Sequence, residues 1–328
     1  MKFRTSISSS PRQWRVQYGQ QITLLGSCFA ASIGERFAKA KISAVLNPWG
    51  TLYHPKAILT NLKRAIGRNQ LPKEGVVALG QRYTHFDVHS DISSPTVADL
   101  YHLYTSVNEG FIHHLQSTHI LFLTLGTSWH FRYIESDQIV ANCHKQPNHL
   151  FDRKLSTPQE VYDDLSDILR LTREIQPDIT VVITVSPVRH IRDGLIANNR
   201  SKAHLLCAVH DICDRDKQVH YFPSYEMLID DLRDYRFYAK DLVHPSDLAV
   251  DYIWDYIVEH HMLPADQNLI TQTQSIQKQL YHRPVDPGSI EHKKFLSRLI
   301  DRMKHLQHEH NINYTKEIMT TLSSLDAL

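Results

Sequence analysis

The stretch Ile22-Thr-Leu-Leu-Gly-Ser-Cys-Phe-Ala-Ala31 decides how this chain of 328 residues is read. Residues 22–25 form a short apolar run that Gly26 interrupts. Beyond Ser27 and Cys28, the apolar residues Phe29, Ile33, Phe37 and Ala40 recur at spacings of three and four, which is helical periodicity. The order is strand, tight turn, helix. A Ser-Cys pair in such a turn lies at a helix N-terminus, where backbone N–H groups and the helix dipole favour negative charge. That setting can activate a nucleophile.

The same alternation continues along the chain. Pro55 opens a helix with Ile58, Leu59, Leu62 and Ile66 on one face, and weak strand signals follow at 76–79 and 83–88. Ser94 is the expected N-cap of a helix that Pro95 begins and that runs through Leu100, Tyr104 and Phe111 to Leu115. Residues 119–125 form a second apolar strand ending at Gly126-Thr-Ser-Trp129, and alternating runs at 129–134 and 138–142 suggest a hairpin. Thr157-Pro-Gln-Glu160 is a capping box whose helix reaches Ile175. A third strand, 179–185, ends at Ser186-Pro-Val-Arg-His190. Asn198, Asn199, Ser201 and Lys202 read as caps of a helix over 200–214, and 219–222 as a fourth strand. Glu226 and Arg236 are expected to form an ion pair. Asp241-Leu-Val-His244 precedes a further helix. Past Pro264 the chain is rich in Gln, Lys and His, with helical periods around 271–281, 289–309 and 314–326.

Short apolar strands alternating with amphipathic helices imply a mainly parallel sheet covered on both faces. The expected organisation is an α/β catalytic domain over 1–262 and a helical C-terminal extension over 263–328. Hydrophobic residues make up 42% and charged residues 22%, as in an ordinary globular chain that can bury a core. The net charge of +1 argues against a general nucleic-acid binder. No apolar run is long enough for a transmembrane helix, and Met1-Lys-Phe-Arg-Thr-Ser-Ile lacks an apolar signal core. The expected location is therefore the reducing cytoplasm, with free thiols. Cys28, Cys143, Cys207 and Cys213 contain no C-x-x-C pair, so a finger or ribbon zinc site is not expected. No cofactor, nucleic-acid partner or membrane partner is called for, and the oligomeric state is left open.

In open sheets of this kind, ligands bind beyond the C-terminal ends of the strands. Gly26-Ser-Cys28, Gly126-Thr-Ser-Trp129 and Ser186-Pro-Val-Arg-His190 all follow strands, and Asp241-x-x-His244 follows the fourth after a loop. Four polar clusters would thus share one rim. An acyl-transfer site needs a nucleophile, a base, a group that orients the base and donors for the oxyanion. Asp241 and His244 suit orienter and base, and Cys28 or Ser27 suits the nucleophile. A cysteine at a helix N-terminus beside histidine can become a thiolate near neutral pH. The plainer alternatives are a buried apolar role for Cys28 and an N-cap role for Ser27. Gly126 and Ser128 are candidate oxyanion donors, and Asn142 and His144 form a second polar knot that could donate or touch substrate. Arg189 and His190 could hold an anionic group, with a salt bridge to a nearby acid as the structural alternative.

At Gly-Ser-Cys-Phe-Ala the chain resembles the GSCFA domain family, named for those five residues. The likeness continues through Asn47-Pro-Trp-Gly50, Thr124-Leu-Gly-Thr127, Val140-Ala-Asn-Cys-His144, Val185-Ser-Pro-Val-Arg-His190, Ser201-Lys202, Phe222-Pro-Ser-Tyr-Glu226, Leu232-Arg-Asp-Tyr-Arg-Phe-Tyr238 and Asp241-Leu-Val-His-Pro-Ser246. That family is similar to the SGNH (GDSL-like) hydrolases, which implies a flavodoxin-like three-layer α/β/α sandwich. Carried over by motif, the resemblance implies Cys28 at the nucleophile position, Asp241 and His244 as acid and base, and Gly50 as a backbone oxyanion donor. The third SGNH block departs here, because Ser128 stands where the pattern has asparagine. Ser128 or Asn142 would then supply that donor.

Three functions follow. The first is an acyl hydrolase or acyltransferase acting on an ester, such as an O-acetylated carbohydrate. The second is a non-catalytic small-molecule or glycan binding module on the same fold. The third is a metal-dependent hydrolase drawing on Cys28, Cys143, His144 or His190, although their spacing matches no known site pattern.

Overall fold

The computed structural model describes residues 4–8 and 14–326. Strand β1 (Gln21–Gly26) leads through the turn into α1 (Cys28–Lys39), then β2 (Ala44–Leu46) and α2 (Pro55–Gly67). The hairpin β3 (Val76–Leu79) and β4 (Arg82–His85) precedes α3 (Val97–Leu115) and β5 (Thr118–Leu125). An excursion of β6 (Trp129–Tyr133), β7 (Gln138–Val140) and β8 (Phe151–Leu155) comes next, followed by α4 (Pro158–Ile175). Then come β9 (Thr180–Val185), α5 (Gly194–Arg215), β10 (Val219–Tyr221) and the short turn α6 (Ser224–Glu226). The chain closes with α7 (Asp247–His261), α8 (Pro264–Leu280), α9 (Ile290–His310) and α10 (Thr315–Asp326).

The central sheet has the order β10-β9-β5-β1-β2, and every neighbouring pair is parallel. Counted within the sheet alone, this is the 2-1-3-4-5 arrangement of flavodoxin-like folds. Its strands are apolar on both faces because helices cover both. Leu121, Leu123 and Leu125 of β5 join Val181, Ile183 and Val185 of β9 beneath α2, α3, α4 and α5. Ile120, Phe122 and Val182 alternate onto the opposite face, against α1 and α7. The period-two alternation of a strand is therefore hidden in a continuously hydrophobic sequence. The chain leaves β1 towards β2 on one side and returns to β5 on the other, so the switch point lies between the C-terminal ends of β1 and β5.

Several boundaries moved from expectation. Strand β2 was not foreseen, since three residues give too short a pattern. Thr96, not Ser94, caps α3, its side chain accepting from the Asp99 N–H. The capping box at Thr157 and Glu160 is present in full. Helix α5 begins at Gly194, so Asn198, Ser201 and Lys202 lie inside it as buried residues and do not cap it. The hairpin gained a third strand, β8, in the antiparallel order β7-β6-β8. Glu226 accepts a hydrogen bond from the Tyr221 hydroxyl at 2.7 Å, while Arg236 faces Asp234, so the expected Glu226–Arg236 pair does not form.

Beyond α7 the helices build a core of their own from Leu269, Ile276, Leu299, Met303, Leu306 and Tyr314. Tyr18 ties this core to the rest, donating its hydroxyl hydrogen to Ala40 O and its N–H to Asp266 Oδ1. Lys41 pairs with Glu317 and lies over the Tyr314 ring. Among the described residues, no helix is long and apolar enough to cross a membrane.

Candidate active site

Gly26 makes the turn after β1 feasible. Its φ is +131°, and a Cβ there would lie 2.0 Å from Thr124 O, a contact no side chain tolerates. Its N–H donates to Asn47 Oδ1, its carbonyl accepts from Leu52 N, and Ser27 N–H donates to Thr124 O. The turn is thus held by β5 and by the loop after β2. Ser27 is fully buried and caps α1, its Oγ accepting the Phe29 N–H. Cys28 is the first helical residue and remains partly exposed.

The state of Cys28 differs from the sequence expectation. Burial pushes its thiol up from the ordinary value and outweighs the downward pull of the Cys28 and Phe29 backbone N–H groups and of the Lys202 charge; Asp241 adds to the rise. The helix N-terminus alone does not make this cysteine a thiolate at neutral pH. A base must take its proton.

Asp241 and His244 form a self-contained loop. Asp241 Oδ1 accepts the N–H groups of Val243 and His244, and Oδ2 lies 2.7 Å from His244 Nδ1. These bonds, with the two backbone N–H contacts foremost, hold the Asp241 carboxyl down to about 2. With Nδ1 engaged, Nε2 is the nitrogen left to accept a proton. Both side chains are about half exposed. The loop is anchored from behind, as Arg189 N–H donates to Val243 O and Ala239 N–H to His244 O. The Arg189 guanidinium lies 4.3 Å over the Tyr238 ring and 5.6 Å over Tyr235. Arg189 thus braces the segment before the Asp-His loop through aromatic stacking, and the salt bridge to a nearby acid is not among its contacts. Cys28 and His244 make no direct hydrogen bond.

Lys202 was missed as a site residue. Its side chain is buried within α5, and Nζ donates to Gly126 O and Ser186 O, each at 2.6 Å. Those carbonyls end β5 and β9, so one amine ties two strand ends together under the rim. Burial lowers Lys202 to about 7, against the pull of Cys28. The sequence signal was its place in the Ser201-Lys202 family match, where it reads as a helix cap. His190 joins the same cluster. Its N–H donates to Asn198 Oδ1, its ring meets Tyr53 edge-on at 5.2 Å, and its buried Nε2 has no hydrogen-bond partner. Burial, then the charges of Lys202 and His244, depress it to about 3, so it is neutral. A Cβ on Gly126 would meet Tyr53 at 3.0 Å and His190 Nε2 at 3.2 Å, which places both rings against that strand end.

The expected oxyanion donors fare less well. Gly50 N–H donates to Asn47 O at 2.7 Å within its own turn. Gly126 N–H donates to Tyr53 O. Ser128 is fully buried and turned into α5, its N–H bonded to Ser201 Oγ and its Oγ to Ser201 O. Each of these three is already engaged. His144 is buried too, its Nε2 2.9 Å from His85 O and its ring stacked near Phe86, so it is part of the hairpin packing. Asn142 Oδ1 accepts the His144 N–H, and the residue lines a cleft of about 460 Å³ beside the rim. That cleft is shared by Tyr53, Thr127, His190 and Arg192 from the rim loops and by Trp129, Phe131, Cys143 and Arg153 from the excursion. Among the described residues no three His, Cys, Asp or Glu side chains gather as a metal site would require. Of the quartet considered for a metal, Cys143 and His190 line the cleft, while His144 is engaged with His85 O and Cys28 opens α1.

The sequence profile of the GSCFA family matches residues 21–256, and that of the GSCFA domain protein C-terminal domain matches 273–327. No curated protein matches the chain. Among solved structures, similarity extends to a family two carbohydrate esterase from Clostridium thermocellum, at 12% identity and a TM-score of 0.38. That match covers 74% of this chain and 64% of the esterase chain, so the present chain spans about two thirds of that protein. The periplasmic domain of a Salmonella ser. Paratyphi A lipopolysaccharide acetyltransferase is similar at 10% identity and a TM-score of 0.34, covering 74% and 84% of the two chains. A carbohydrate esterase family 3 protein from Talaromyces cellulolyticus is similar at 10% identity and a TM-score of 0.33, covering 78% and 99%.

Proposed function

This chain belongs to the GSCFA family, and on its site we propose an acyl hydrolase or acyltransferase that acts on an ester, with an O-acylated carbohydrate as the substrate class. The observation that carries the reading is the Asp241–His244 pair bonded at 2.7 Å on the rim where Cys28 opens α1. Cys28 feels the Asp241 charge, and His190 feels that of His244.

Cys28 Sγ attacks the ester carbonyl while His244 Nε2 takes the thiol proton. Asp241 holds the imidazole and stabilises the imidazolium. The tetrahedral oxyanion is received by the Cys28 N–H, a free donor of the first helical turn, and by the Asn142 amide. Collapse breaks the C–O bond, and His244 returns its proton to the leaving alcohol. Water or an acceptor hydroxyl then attacks the thioester with His244 again as base, releasing the acyl group and restoring the thiol. The Cys28–His244 hydrogen bond is required of the complex with substrate, in which contacts of this kind tighten. Lys202 lies below both strand ends and favours the thiolate by its charge.

The catalytic unit is assigned to 1–262 and the helical extension to 263–328, in line with the two profile matches. The free thiols of Cys28, Cys143, Cys207 and Cys213 support action in the reducing cytoplasm.

The test is mass-spectrometric mapping of adducts after exposure to a panel of activated esters. An acyl group on Cys28, and turnover reduced at least a hundredfold in H244A, are the expected results. Adducts confined to other residues, or unchanged turnover in H244A, would sink the reading. A second reading, a binding module without chemistry, is favoured by the engaged N–H groups of Gly50, Gly126 and Ser128 and by the raised Cys28 thiol. Inertness of Cys28 towards thiol reagents under native conditions would select it.

A further inference from the structure

The start of α2 and the excursion share a hydrogen-bond chain that the acyl chemistry does not use. His54 caps α2, its Nδ1 accepting the Lys56 N–H at 3.0 Å. Nδ1 therefore carries no hydrogen. Burial lowers His54 to about 3, so the ring is neutral and its one hydrogen sits on Nε2. Nε2 lies 3.1 Å from Ser156 Oγ and donates to it. The Ser156 hydroxyl passes its own hydrogen onward, to His130 Nδ1 at 3.0 Å. Ser156 is buried and held on both sides of its backbone, its N–H donating to Ser128 O and its carbonyl 2.8 Å from His204 Nδ1. His130 is lowered as well, chiefly by burial, and is neutral. With Nδ1 accepting, the His130 hydrogen sits on Nε2.

That N–H ends the chain without an acceptor, because His130 Nε2 is buried and has no hydrogen-bond partner. Leaving a buried donor unmade is costly, so such a group calls for an explanation. His130 borders two cavities. In the smaller, of about 370 Å³, the carboxylates of Glu160, Asp163 and Asp164 accept from Thr157, Gln159 and Lys56, and none reaches His130. The larger is the cleft of about 460 Å³ beside the rim, within the range of small-ligand sites. His190 lines it too, and its Nε2 is likewise buried and unpartnered. Tyr53, whose hydroxyl is raised by burial and by the Cys28 charge, joins this cleft to the rim. Asn142, Gln146 and Asn148 add neutral amides suited to hydroxyl groups.

We propose that His130 is a substrate-binding residue whose Nε2–H, fixed as a donor by His54 and Ser156, binds an oxygen of a saccharide seated in this cleft. The inference rests on the acyl-transfer reading, in which the sugar is the alcohol part of the ester, and gives that sugar its place. His54 and Ser156 are positioning residues that act through the tautomer of His130.

Nitrogen-15 NMR of the full chain at neutral pH reads the tautomer, with the His130 ring signals identified by their loss in H130Q or their shift in S156A. The expected result is a hydrogen on Nε2 and none on Nδ1; the reverse would overturn the proposal. The spectra are then recorded with glucose, xylobiose and N-acetylglucosamine. At least one sugar should move the Nε2–H signal, and H130Q should bind that sugar at least tenfold more weakly by calorimetry. S156A keeps the imidazole but frees Nδ1, so it should populate both tautomers and weaken binding severalfold. No response to any of the three sugars, or affinity unchanged in S156A and H130Q, would overturn the proposal. None of these readouts uses the acyl chemistry. Sugar binding through His130 in a chain whose Cys28 takes no acyl group removes the enzyme and leaves the binding site, whereas acylation of Cys28 with no response at His130 does the opposite.

Discussion

The Gly26–Cys28 turn and the Asp241–His244 loop, whose Asp241 charge acts on Cys28, are held in opposite ways. The turn is fixed from outside. Thr124 O, Asn47 Oδ1 and the Leu52 N–H each grip one backbone group of Gly26 or Ser27, and Ser27 is fully buried. The loop is fixed largely from within, by one carboxylate that binds two of the N–H groups following it and the imidazole three residues on. It is about half exposed. The position of Cys28, the proposed nucleophile, is therefore a property of the sheet, whereas the orientation of His244, the proposed base, is a property of four consecutive residues. Damage to the first should appear as lost folding, and damage to the second as lost chemistry.

Asp241→Asn tests the contrast most severely. The carboxylate that orients His244 is lost, yet nothing buried changes. Turnover of an activated ester should fall by about 10³-fold or more, in line with triad acids elsewhere, while the denaturation midpoint barely moves. A large loss of stability would show the loop to be structural. Gly26→Ala is the converse. Its Cβ would collide with Thr124 O, so unfolding free energy should drop by about 3 kcal/mol, as for severe overpacking, read by urea denaturation.

Lys202→Met probes the floor beneath both regions. Loss of the donor to Gly126 O and Ser186 O should cost about 1–3 kcal/mol for stranded acceptors. The sign of its pH dependence is also set. Burial lowers Lys202 to about 7 in the folded chain, against about 10.4 for an unperturbed lysine. Between those values the unfolded chain holds more protons, so this group makes stability rise as pH increases from about 7 to about 10. Denaturation across that range should show a steeper rise in the unmutated protein than in K202M, and parallel curves would refute the lowered value.

The smallest effect is expected from Ser27→Ala. Removing the cap of α1 should cost about 1 kcal/mol and leave acylation of Cys28 in place. Loss of all acylation with the fold intact would transfer the nucleophile to Ser27.

Much of the fold was legible because apolar runs and caps are local. The strands β1, β5 and β9, the Thr157 capping box and the three C-terminal helices followed from periodicity and turn chemistry. What escaped was either too short or non-local. Strand β2 has three residues, and β8 is recognisable only once it pairs with β6. In the site, Asp241-x-x-His244 is a sequence-local device and was visible as one. Gly50, Gly126 and Ser128 had suitable types at suitable spacings, but the acceptors that engage their N–H groups come from Asn47, Tyr53 and Ser201. Two of those acceptors are distant in the chain, so spacing alone could not reveal them.

By itself, then, the sequence determined the alternating α/β pattern, the strand–Gly-Ser-Cys–helix unit and the Asp-His pair, because each is encoded in neighbouring residues. The tertiary structure alone decided which of Ser27 and Cys28 is buried, that Lys202 underlies two strand ends, and that burial pushes the Cys28 thiol up from its ordinary value. Burial and hydrogen-bond partnership depend on surfaces brought together from distant segments, and no local pattern carries them.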